Sequence, residues 1–151
     1  MTNPSPNPAW RLEAPEVYIA ETGTAKGRGV FARRAFAADE LVEECPVIPI
    51  TAQFHSFPRE LQRIVFNWGV LARTTDGDAI VLGYGSMYNH DNPANMRYEA
   101  DAKSLTMKFI AVRPIQAGEE LTINYNAFGG GPTWDSNHWF ERMNVQPLPK
   151  G

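Results

Sequence analysis

The feature that most restricts this chain is how often its hydrophobic patterning is interrupted. Short β-type runs at 17–21, 29–33, 41–50, 79–82, 95–99, 105–112 and 120–125 alternate with clusters of Gly, Asn, Asp and Pro. Runs this short, closed off by turn residues, predict a fold of many short strands. The runs at 95–99 and 105–112 flank Ala100-Asp101-Ala102-Lys103-Ser104 and read as a hairpin. One segment changes period. Leu61, Ile64, Val65 and Trp68 fall at i, i+3, i+4 and i+7, one face of a helix, with Pro58 and Gly69 as boundary signals. The expected class is mostly β, with one clear helix.

A repeated heptapeptide supports this. Arg34-Ala35-Phe36-Ala37-Ala38-Asp39-Glu40 and Arg113-Pro114-Ile115-Gln116-Ala117-Gly118-Glu119 share the pattern R-x-[F/I]-x-A-x-E, and each lies between two strand-like runs. Two copies cannot stack into a solenoid. They predict two similar strand-to-strand corners, each pinned by one apolar residue and turned by small ones.

Composition narrows the function classes. The chain has 151 residues, 43% hydrophobic and 21% charged, enough for one domain with its own core. The net charge is −3 and no basic run exceeds Arg33-Arg34, which argues against direct nucleic-acid binding and suits a basic peptide partner. Cys45 is the single cysteine, so neither an internal disulfide nor a cysteine-rich zinc cluster can form. His55, His90 and His138 lack ligand spacing, so no metal site is expected. No stretch approaches the ~18 consecutive apolar residues of a membrane span. Residues 1–14, with prolines at 4, 6 and 8, read as a flexible leader without a signal core, residues 15–128 as the domain, and residues 129–151 as an aromatic tail behind a glycine hinge. The reading places the protein inside the cell, cytoplasmic if bacterial and nuclear if eukaryotic or viral.

Three segments could carry chemistry. Gly27-Arg28-Gly29 sits in a strand–turn–strand setting, where glycine serves either a plain hairpin or a close backbone approach to a ligand. It is not a phosphate loop, lacking G-x-x-x-x-G-K-[S/T] and a following helix. The stretch Gly83-Tyr84-Gly85-Ser86-Met87-Tyr88-Asn89-His90-Asp91-Asn92-Pro93-Ala94-Asn95 is irregular. It either satisfies its own backbone or offers unpaired main-chain groups to a polar heterocycle. Glu119-Glu120-Leu121-Thr122-Ile123-Asn124-Tyr125-Asn126 ends a strand on a tyrosine that is either an ordinary strand aromatic or a reactive hydroxyl. Ser86 and His90 have neither an acid partner nor a nucleophile elbow, so a hydrolase is excluded.

Taken in order, G-x-G, then N-H-x-x-x-x-N, then G-E-E-L-T-I-x-Y, over about 17–126, resemble the SET domain signature. Phe31-Ala32-Arg33-Arg34, Leu41-Val42-Glu43-Glu44-Cys45 and Leu82-Gly83-Tyr84-Gly85 look most like the compact SET proteins of bacteria and large DNA viruses. The resemblance implies a mostly β fold, a β-clip of several small twisted sheets with one or two short helices and a C-terminal pseudoknot, and transfer of a methyl group from S-adenosylmethionine to a lysine amine of a protein substrate, basic or histone-like. It implies Lys26, Gly27, Arg28, Gly29, Tyr88, Asn89, His90, Tyr125 and Trp139 as cofactor-binding residues. Tyr125 matches the catalytic tyrosine and Tyr98 a second lysine-channel aromatic. Compact relatives suggest a two-fold homodimer. Two departures stand out: Asp91-Asn92 replaces the Ser-Cys of relatives whose cysteine joins a zinc cluster, and Cys45 occupies a channel-tyrosine position. Trp134, Trp139 and Phe140 are then expected to supply the lid that zinc-bound cysteines provide elsewhere. The alternative is a non-catalytic module that keeps the fold and only binds peptide or cofactor.

Overall fold

The computed structural model describes residues 10–74 and 77–126. β1 (Val17–Glu21) and β2 (Arg28–Ala32) form an antiparallel hairpin in which Val17 faces Ala32 and Glu21 faces Arg28. The turn closes on one oxygen, because the Thr22 N–H (2.8 Å) and the Thr22 hydroxyl (2.7 Å) both donate to the Gly27 carbonyl. Gly27 sits at φ 76°, a conformation in which a Cβ is strained.

β3 (Leu41–Ile50) is the spine of a four-stranded antiparallel sheet ordered β4-β3-β7-β6, with β4 at Asp78–Val81, β6 at Met96–Asp101 and β7 at Thr106–Ala111. Through Pro46 it pairs with β7, and from Val47 onward with β4. Pro46, with no N–H to donate, stands where the partner changes. β5 (Asn89–His90) and β8 (Thr122–Ile123) form a separate parallel pair, Asn89 opposite Thr122 and His90 opposite Ile123. The three sheets close around one core that includes Val30, Trp68, Tyr88, Met96, Phe109 and Leu121.

The repeated heptapeptides are two equivalent corners that pair with each other. Phe36 and Ile115 exchange both backbone hydrogen bonds (2.8 and 2.9 Å) and are buried. The Ala32 N–H donates to the Glu119 carbonyl (2.9 Å), and its counterpart Ala111 donates to the Glu40 carbonyl (2.9 Å). Each corner's glutamate accepts from the main chain three residues earlier, Glu40 from Ala37 (2.9 Å) and Glu119 from Gln116 (2.8 Å), and meets its corner's arginine. The residue before each glutamate, Asp39 (φ 66°) or Gly118 (φ 88°), takes the left-handed conformation. That explains why these positions hold Asp and Gly, residue types that tolerate it.

Two elements differ from expectation. The helix through Leu61, Ile64, Val65 and Trp68 is broken into α1 (Arg59–Gln62) and α2 (Trp68–Leu71). Between them Phe66 exchanges both backbone hydrogen bonds with Ala79 of β4 (2.9 Å each), and the Asn67 side chain caps α2 by accepting from Val70. Of the four periodic residues only Trp68 is buried, and Ile64 is exposed. Pairing along the open edge of β4 overrides the helical period. The strand expected over 120–125 divides between partners. Glu120 bridges to Phe31 and the Leu121 N–H donates to Val30 (2.8 Å), whereas only Thr122 and Ile123 pair with β5. The tail, 129–151, lies outside the described residues, as does the part of the pseudoknot it would carry.

Candidate active site

The parallel β5–β8 pair brings the second and third motifs side by side, and the β1–β2 turn abuts both. The Asn89 side-chain amide donates to the Arg28 carbonyl at 2.9 Å and to Glu120 Oε2 at 2.8 Å. Both amide hydrogens are thereby committed, which leaves Oδ1 as the atom available to accept from a ligand ammonium. Lys26 Nζ lies 3.5 Å from Glu120 Oε1, so the cluster holds one cation and one carboxylate. Gly29 has no room for a side chain. A Cβ there would stand 2.5 Å from Glu120 Oε2, 2.9 Å from Thr22 Cγ2 and 3.1 Å from Asn89 Nδ2. The second glycine of G-x-G is therefore required by close approach, and the first by its positive φ.

On the other side of β5, His90 Nδ1 accepts from the Tyr125 N–H at 3.0 Å. That bond requires an unprotonated Nδ1. Burial, with Lys26 adding to it and Asp91 opposing, lowers the His90 pKa to about 4. The imidazole is therefore neutral at physiological pH and serves as an acceptor that anchors the end of β8. The Tyr125 hydroxyl donates to the Tyr88 carbonyl at 2.7 Å. Burial, reinforced by Glu120 and Tyr98, pushes its pKa well above the usual tyrosine value, so Tyr125 stays protonated and cannot act as a general base. Tyr98 is buried against Phe66 (edge-on, 5.2 Å between ring centres) and Phe109 (5.9 Å), and burial raises its pKa likewise. Tyr125 is partly buried and packs against the core cluster to which Tyr98 and Phe109 belong.

Of the residues singled out in the sequence, Lys26, Arg28, Gly29, Asn89, His90, Tyr88 and Tyr125 converge here, and Gly27 makes the turn that delivers the first of them, whereas Tyr98 lies in the core cluster against which Tyr125 packs. Trp134, Trp139 and Phe140 lie outside the described residues. Cys45, expected at a channel position, is fully buried, and a Cβ on Gly85 would stand 3.2 Å from its sulfur. Among the described residues no group of His, Cys, Asp and Glu could hold a metal ion. Sequence reasoning missed three structural roles. Glu120 orients Asn89. Asn95 accepts from the Thr122 N–H (2.9 Å) and donates to the Glu120 carbonyl (2.8 Å), tying the second motif to the third. Glu43 is buried; the signal was its place in the inward register of β3 with Cys45 and Val47.

Small curled sheets in which an Asn-His strand lies parallel to a strand ending in tyrosine, beside a G-x-G turn, define a SET-type domain. Residues 27–126 match the SET domain family, and the chain belongs to it. A fission-yeast (Schizosaccharomyces pombe) protein, histone-lysine N-methyltransferase, H3 lysine-37 specific, is 31% identical over 100 residues, 66% of this chain and 67% of that protein. Solved structures that share the fold include these two. One is a candidate histone methyltransferase of Plasmodium falciparum (TM-score 0.60, 24% identity, 76% of this chain and 95% of that one). The other is a humanized mutant of the Chaetomium thermophilum Polycomb Repressive Complex 2 bound to the inhibitor GSK126 (TM-score 0.59, 23% identity, 78% of this chain and 16% of that one).

Proposed function

We propose that this protein transfers methyl groups from S-adenosylmethionine to a lysine side chain of a basic protein substrate inside the cell. The observation that carries the proposal is the Tyr125 hydroxyl. It is protonated, committed as a donor to the Tyr88 carbonyl, and belongs to a residue packed against the core, at the end of the strand paired with the one that carries Asn89. The cofactor supplies an electrophilic methyl on a sulfonium. The cradle suits its amino-acid end: Asn89 Oδ1 is an acceptor for an ammonium, and Lys26 offers a positive charge to a carboxylate. The absent side chain at Gly29 allows close main-chain approach.

On the substrate side, a lysine amine must be neutral to attack, and free lysine has a pKa near about 10.4. An amine brought against Phe66 and Tyr98, which pack on the fully buried Phe109, would be disfavoured as the ammonium by desolvation. With its own proton given to Tyr88, the Tyr125 oxygen accepts from the amine and aims its lone pair. Acceleration then comes from alignment rather than proton abstraction. The experiment is to incubate the protein with methyl-labelled cofactor and purified core histones and map labelled lysines by mass spectrometry. Tyr125→Phe should lower kcat by about 100-fold while cofactor affinity stays within about threefold. Cofactor binding without transfer to any histone or to the protein itself would favour the non-catalytic module instead. A dimer, suggested by compact relatives, belongs to the same proposal.

A further inference from the structure

We infer that Glu43 is a positioning residue for Tyr125, acting through Tyr88; the inference deepens the proposed lysine methyl transfer and rests on it. Glu43 projects inward from β3 and is 5% exposed. A buried carboxylate is costly unless hydrogen bonds replace its hydration. Here the Tyr88 hydroxyl donates to Oε1 at 2.6 Å and the Tyr84 N–H donates to Oε2 at 3.1 Å. The surrounding loop is moulded to this group. Gly83 adopts φ 63°, and a Cβ on it would stand 2.5 Å from Glu43 Oε2. An apolar residue at 43 would fill the space without the desolvation penalty, so the carboxylate is better explained by what it holds.

What it holds is Tyr88. That side chain is 1% exposed, with its ring 4.8 Å from the Phe109 ring and its hydroxyl on Glu43. The carbonyl of the same residue receives the Tyr125 hydroxyl. One residue therefore links β3 to the proposed reacting tyrosine, and freeing its side chain frees the carbonyl that points the Tyr125 oxygen. Asn89, the next residue, keeps its own anchors on Arg28 and Glu120 and in the β5–β8 pairing, so cofactor binding is insulated from the same disturbance.

The test uses Glu43→Gln and Tyr88→Phe, each alone and combined with Tyr125→Phe. Tyr88→Phe removes only a hydroxyl and keeps the question open to measurement should Glu43→Gln fold poorly. With labelled S-adenosylmethionine and purified core histones, each single variant should lose about tenfold in kcat, the scale of a small misalignment. The calorimetric Kd for S-adenosylmethionine should stay within about twofold. In the Tyr125→Phe background neither substitution should lower kcat further, because the hydroxyl they orient is gone. Equal losses in both backgrounds, a loss confined to KM, or an unchanged kcat would overturn the inference. A second readout is independent of catalysis: NMR of ring-labelled tyrosine should show faster hydroxyl hydrogen exchange at Tyr125 in both variants, and unchanged exchange would overturn it. If the wild-type protein methylates nothing, the proposed function fails, while the exchange measurement still decides whether Glu43 positions Tyr125.

Discussion

Lowering the pH from about 7.5 to about 4.5 should remove stability through His90. Its folded pKa is about 4, below the ordinary 6.5, chiefly because burial disfavours the imidazolium. The unfolded chain therefore takes up the proton first. The contribution is fully present above about 6.5, is lost as pH falls toward about 4, and is flat below that. At about 1.4 kcal/mol per pH unit the full difference corresponds to about 3 kcal/mol. His90 is only half-buried, so solvent screening reduces the expected loss to about 1.5 kcal/mol. Other groups also titrate in this range, so the comparison is with His90→Asn, whose side-chain oxygen can accept from the Tyr125 N–H but cannot take up a proton. Urea unfolding at a series of pH values should show wild type losing about 1.5 kcal/mol more than the variant. Parallel stability curves for the two proteins would refute the neutral, buried-acceptor account of His90.

Gly29→Ala should force apart Glu120, Thr22 and Asn89, costing about 1–3 kcal/mol in overpacking and lowering S-adenosylmethionine affinity at least about tenfold by calorimetry. Unchanged affinity would show that the cradle does not contact the cofactor. Asn95→Ala would leave the buried Thr122 N–H and the Glu120 carbonyl without their partner, and should cost about 3 kcal/mol in denaturant unfolding. A loss below about 0.5 kcal/mol would mean that water replaces the side chain at little cost.

Much of this molecule was legible in its residues. The interrupted short runs determined a mostly β fold of many short strands. The R-x-[F/I]-x-A-x-E repeat determined two similar corners, because turn chemistry is local, and the structure added the left-handed residue ahead of each glutamate. Gly27 declared its turn for the same reason, and the order of the three motifs pointed to the family later found at 27–126. What local pattern could not determine was partner choice. Periodicity says which face of a segment is apolar, not which distant edge it will meet. Phe66 therefore left its helix for Ala79, and the run ending in Tyr125 divided between β2 and β5. The bonds from Tyr125 to His90 and from Asn89 to Glu120 span 35 and 31 residues of sequence and exist only once the parallel pair forms. Glu43 shows the same limit: two glutamates stand side by side in β3, and only the packed loop over one of them makes it a buried acceptor at 2.6 Å from Tyr88.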